Sequence, residues 1–120
     1  MKQISLLLVT ALFTVLAHAQ KEVSIDSIGN YVGDSVKVCT KIYGGIYLDR
    51  SKGTPTLLNA GAAYPNATLT LIIRADARKT FKEAPEVFYK DKEVCIIGRV
   101  KLYKDKPEIE VFDEKQVVVK

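Results

Sequence analysis

Histidine is what this chain most conspicuously lacks: its single copy is His18, within the first nineteen residues. Without imidazole beyond that point there is no Ser-His or Cys-His nucleophilic system, no His general base and no His-ligated metal. Cysteine is scarce too, with only Cys39 and Cys95. No CxxC pair is present to suggest redox chemistry, and two cysteines without histidine make a poor zinc set. Nor is there a strong excess of either charge. The net charge of +4 falls short of what a dedicated duplex-DNA binder carries. No low-complexity tract and no second domain's worth of length appear in the 120 residues.

The chain opens with Lys2, an uncharged apolar run over Ile4–Leu16 and a small-residue pattern at Ala17-His18-Ala19. This reads as a secretory signal peptide over residues 1–19, cut after Ala19. The run is shorter than the roughly 20 apolar residues of a membrane span, and Gln20 stands where a lipid anchor needs cysteine. The expectation is a secreted or periplasmic protein with no stable membrane insertion after cleavage, its single domain covering 20–120. That mature part keeps 17 basic residues against 14 acidic, a net +3. In an oxidising compartment, an even pair of cysteines reads first as a Cys39–Cys95 disulfide. Two free thiols or a metal site are the alternatives.

Two stretches carry period-two alternation. In Lys92–Val111, Val94, Ile96, Gly98, Val100 and Leu102 share one face, while Cys95, Ile97, Arg99, Lys101 and Tyr103 share the other. In Gly33–Tyr43, Val36, Val38, Thr40 and Ile42 alternate with Lys37, Cys39, Lys41 and Tyr43. Each pattern predicts a long strand with one buried face and a cysteine on the other, and the two strands are expected to be neighbours. Gly44-Gly45 marks a bend in the first, and Lys104-Asp105-Lys106-Pro107 a tight turn after the second. Short strands are expected at Thr56–Asn59 and Ala67–Arg74, and a helix over Ala77–Glu83, capped by Asp76, anchored by Phe81 and stopped by Pro85. A final strand starts near Glu108, and Gln116–Lys120 is another β-rich run.

The resulting order, β-β-β-α-β-β, predicts a mainly β protein: a five-stranded OB-fold Greek-key barrel with one short helix between its third and fourth strands. Tyr31-Val32-Gly33 before a Val-x-Val strand, Leu58-Asn59-Ala60-Gly61-x-x-Tyr64-Pro65, the Leu69–Ile73 strand with Phe81 after it, and Gly98-Arg99-Val100-x-x-Tyr103-x-x-x-Pro107-Glu108-Ile109 form a further set of motifs. Together they resemble small exported bacterial OB-fold domains. The likeness spans about Ile28–Val119. Such domains stand alone or accompany secreted nuclease-like modules and are described as nucleic-acid binders, so the resemblance implies a binding role. Thr40 departs from the glycine common at its position, which implies a less tightly coiled first strand. No nuclease constellation of clustered acids and paired arginines is present, so catalysis does not carry over and no enzyme is expected.

OB barrels bind across strands two and three, between the loops that join strands one to two and four to five. Single-stranded nucleic acid needs cations for phosphate and flat side chains for bases. The residues of those types in those places are Tyr43, Tyr47, Arg50 and Lys52 around the first loop, Arg74 on the third strand, and Lys101, Tyr103, Lys104 and Lys106 around the second. The same tyrosines also serve to cover barrel ends, and lysines at hairpin tips keep an edge soluble. Tyr64-Pro65 reads as a rigid loop packed on the barrel. Neither cofactor nor metal is expected. The expected partner is single-stranded nucleic acid or another polyanion; the alternative is an envelope protein or glycan.

Overall fold

The computed structural model describes residues 20–120, so the expected signal segment lies outside the described residues. The described residues form seven strands and two short helices. β1 (Lys21–Val23) leads into a 3₁₀ turn, Ile25–Tyr31, capped by the Ser24 hydroxyl, which accepts from the Asp26 N–H. β2 (Ser35–Tyr47), β3 (Thr56–Ala60) and β4 (Leu69–Ile73) follow, then α1 (Ala75–Arg78) and α2 (Pro85–Phe88). β5 (Glu93–Tyr103), β6 (Lys106–Glu110), a 3₁₀ turn at Glu114–Gln116 and β7 (Val117–Val119) complete the chain.

The strand pairings run β2 to β3, β3 to β4, β4 to β6, β6 to β5, and β5 back to β2. The mixed sheet therefore closes on itself through five strands, with β1 added beside β2 and β7 beside β5. Among the described residues only the β1–β2 and β4–β6 pairs are parallel. The expected count of five strands is corrected to seven. β1 and β7 have three residues each, too short to show a period, and they gain their hydrogen bonds only from long-range neighbours.

β2 changes partner along its length. Ser35–Lys41 pair with β5, and Ile42–Tyr47 pair with β3. Just past the transfer, between Ile42 and Gly45, the register with β3 shifts, and Gly44 there has a φ of +119°. A Cβ on Gly45 would lie 2.3 Å from the Leu57 carbonyl oxygen, so only glycine lets the strand turn this corner.

The inward faces match the alternation. Val36, Val38, Ile42, Leu58, Leu69, Leu71, Ile73, Val94, Ile96, Val100, Ile109 and Val111 are all fully buried, with Ile28 and Tyr89 joining the same core. Leu102 departs from the expected pattern: it sits near the hairpin tip, beyond the closed part of the ring, and is half exposed. That hairpin turns in two residues, Lys104 and Asp105, both in the left-handed region at φ 50° and 63° as a type I′ turn requires. Pro107 opposes Leu102 at a position where its missing N–H costs the β5–β6 ladder nothing.

The single helix expected over Ala77–Glu83 is two short ones. The Thr80 hydroxyl donates to the Ala77 carbonyl at 2.7 Å, competing with the helical ladder, and α1 stops at Arg78. Pro85 starts α2 rather than ending α1, which suits a residue without an N–H at a helix N-terminus. Phe81 lies between the helices, edge-on to Tyr89 at 6.1 Å.

Cys39 and Cys95 stand directly opposite each other on β2 and β5 and form a disulfide, with Cα atoms 4.0 Å apart. The Ile42 N–H donates to Lys92 and the Val100 N–H to Asp34. That parity places the cysteines at a non-hydrogen-bonded position, where strands approach most closely. The bond crosses the outer, half-buried face of the ring.

Candidate ligand-binding surface

The parallel pairing of β4 with β6 fixes where the loops lie. Leu69 and Lys106 begin their strands at the same end of the sheet, so the β3–β4 loop and the Lys104-Asp105 turn are neighbours. The β2–β3 loop, carrying Arg50 and Lys52, lies at the other end beside Ile73 and Arg74. The expected site residues are therefore split between two ends of one face.

At the hairpin end, Tyr103 and Lys106 are cross-strand partners, and the Lys104 ammonium lies 5.4 Å from the Tyr103 ring centre. Tyr103 is 59% exposed. Tyr64, in the neighbouring loop, is 82% exposed, which corrects the expectation that it packs on the ring. The two-residue turn leaves no chain to fold over these side chains, so rings and ammonium groups project together.

The middle of the face is different. Lys101 Nζ lies 3.0 Å from Glu110 and 3.6 Å from Glu108, and Arg74 Nε lies 3.3 Å from Glu110. Glu108 is nearly buried, and Glu110 is 18% exposed. Two of the expected phosphate contacts are thus already engaged with carboxylates. The registers place Asn59, Thr70, Glu108 and Lys101 in one row across four strands, and Ile46, Leu57, Ile72 and Glu110 in the next. The acids are the part of this face that residue-type reasoning missed. Their signal was available, since Pro107-Glu108-Ile109-Glu110-Val111 alternates inward apolar with outward acidic.

At the opposite end, Arg50 and Lys52 are exposed. Tyr47 is not open to a base on the side where Arg78 sits, since the guanidinium carbon lies 3.7 Å from its ring centre. Arg78 also donates to Glu86 at 2.8 and 3.0 Å and to the Thr56 hydroxyl at 2.7 Å. The fork pins α1 to α2 and to β3. Its hydrogen bonds hold the Glu86 carboxyl below its ordinary pKa and raise that of Arg78. Tyr43 lies farther along β2, with Lys41 5.0 Å from its ring. Among the described residues no group of three or more His, Cys, Asp or Glu side chains is gathered to hold a metal ion, and no helix is long and apolar enough to cross a membrane.

The chain matches no family model and no curated protein. It is similar in structure to a crystallised chain assigned as an aspartyl-tRNA synthetase from Leishmania major Friedlin, at a TM-score of 0.52 and 8% sequence identity. The match covers 90% of this chain and 22% of that one. At such identity the likeness concerns the fold alone, and this chain spans about a fifth of the other's length.

Proposed function

We propose that this protein is an exported OB-fold module that binds single-stranded nucleic acid at the hairpin end of its ring. The Greek-key barrel assignment rests on strand order. Numbering the ring strands β2, β3, β4, β5 and β6 from one to five, the pairing cycle is one-two-three-five-four-one, with three and five parallel. That is the connectivity the OB barrel requires. The disulfide and the leader-like first nineteen residues support export to an oxidising compartment.

One observation carries the ligand: Tyr103 lies exposed with Lys104 against its ring and Lys106 opposite it, beside a loop that presents Tyr64. A flat ring takes a base, and the two ammonium groups neutralise the flanking phosphates. The test is a fluorescence titration with a short labelled oligothymidine at low and moderate salt. Tyr103→Ala is expected to weaken binding about tenfold, near the lower part of the ~1–3 kcal/mol that stacking one base contributes. An unchanged affinity in that variant, or no binding at all up to tens of micromolar protein, an order-of-magnitude ceiling for useful affinity, overturns the reading.

A second reading, a protein partner, is favoured by the aliphatic row Ile46, Leu57 and Ile72 and by the ion-paired charges beside it. Failure of the oligonucleotide titration moves the assignment there.

A further inference from the structure

The ladder between β5 and β7 leaves one side of β7 open. The Lys120 N–H donates to the Glu93 carbonyl, which fixes the parity: Val118 and Lys120 point their peptide groups at β5, and Val117 and Val119 point theirs away. The Val117 N–H is taken by the Glu114 carbonyl of the preceding turn. At the far end, the Ile97 carbonyl, next in line on β5, is capped by the Gln116 side-chain amide at 2.9 Å. Among the described residues β7 pairs with β5 alone, so the Val117 carbonyl and both peptide groups of Val119 have no strand partner.

Beside this edge runs a groove of about 550 Å³ bordered by Phe88, Tyr89, Val117 and Val119, with Lys82 and Lys115 on its rim. It shares residues with a smaller recess of about 110 Å³ lined by Phe81, Phe88 and Tyr89, with Lys82, Glu83 and Glu114 completing its walls. Lys82 and Lys115 are matched by Asp113 and Glu114 on the same walls, so the groove offers a polyanion no net attraction. What fits an alternating donor and acceptor row beside an aromatic recess is extended backbone with one apolar side chain.

We propose that the open edge of β7 takes up an extended, apolar segment of a partner polypeptide as an added strand, seating one side chain in the Phe81–Phe88–Tyr89 recess. The site lies along the start of β5, whereas Tyr103 ends that strand, so it is independent of the nucleic-acid reading. Backbone pairing supplies the affinity and the recess supplies the choice of side chain.

The probe is a blocked synthetic peptide of alternating threonine and valine around a central leucine, titrated into isotope-labelled protein. The Val119 amide is expected to shift and to gain protection from hydrogen exchange. N-methylation of the peptide at alternate residues, or Val119→Pro in the protein, is expected to weaken binding about tenfold, the effect of one or two lost hydrogen bonds. The proline removes an N–H that faces away from β5, so the β5–β7 ladder keeps its bonds. An unmoved Val119 amide, equal binding of the methylated peptide, or self-association of the free protein through β7 in sedimentation overturns the proposal. Oligothymidine titration of Val119→Pro is expected to match the parent protein, so loss at one site is read separately from loss at the other.

Discussion

Tyr89 heads the fully buried side chains by volume, and its ring meets Phe88 at 4.9 Å and Phe81 at 6.1 Å, both edge-on. Burial pushes its phenol up to about 12 from an ordinary value of 10, with the Glu114 carboxylate adding to the effect. The neutral phenol is thus preferred in the folded state, so its contribution is whole below pH 10 and is lost as pH rises towards 12. Glu86 has the opposite sign. Its hydrogen bonds to Arg78 lower its pKa, so it stabilises the fold above the ordinary glutamate range and ceases to do so as pH falls through its lowered value. A urea-midpoint profile against pH should therefore decline at both ends. Tyr89→Phe is expected to flatten the alkaline limb and Glu86→Gln the acidic one. At neutral pH Glu86→Gln should also cost on the order of 1 kcal/mol, because the Arg78 fork loses its charged partner. An alkaline limb of the same depth in Tyr89→Phe would show that other groups carry it.

Among the elements, β2 and β5 do most to shape the ring, and the disulfide joins them across 56 residues of sequence. Closing a loop of that length lowers the entropy of the unfolded chain by an amount equivalent to about 4 kcal/mol in the chain-entropy description. Replacing both cysteines with alanine is expected to preserve the amide fingerprint while lowering stability by roughly 2–4 kcal/mol, read from urea unfolding. A loss well below 1 kcal/mol would mean that the unfolded chain already holds these strands together. These two strands were also the legible part of the sequence, because both keep a period-two apolar face, with Val36, Val38 and Ile42 buried on one and Val94, Ile96 and Val100 on the other. The glycine corner was legible for a similar reason, since few contexts tolerate Gly44-Gly45 in a strand. β7 was visible only as a β-rich run and β1 not at all, because three residues carry no period. The helical segment was misjudged because the Thr80 hydroxyl, a local competitor for a backbone carbonyl, outweighs helix propensity there. The candidate site was legible in its residue types and not in its electrostatics. Arg74 and Lys101 meet Glu110 only because β4, β6 and β5 lie side by side, a juxtaposition no local pattern encodes.

For the molecule as a whole, that juxtaposition turns a nominally basic face into one with a neutral middle and cationic ends. The difference is measurable as salt dependence, since each phosphate neutralised on a single strand contributes about −0.7 to the slope of log affinity against log salt. If Arg50, Lys52, Arg74, Lys101, Lys104 and Lys106 all met phosphate, the slope would be about −4. With Arg74 and Lys101 held by Glu108 and Glu110, a short oligothymidine bound as proposed at the hairpin end would engage Lys104 and Lys106, for an expected slope of about −1.4. A strand long enough to reach the β2–β3 loop adds Arg50 and Lys52 and should steepen it to about −3. Lys106→Ala is expected to reduce the short-strand slope by about 0.7, and Tyr103→Ala to lower affinity without changing it. A slope near −4 with the short strand would require the central ion pairs to open for the ligand, placing nucleic acid across the middle of the face instead of at its end.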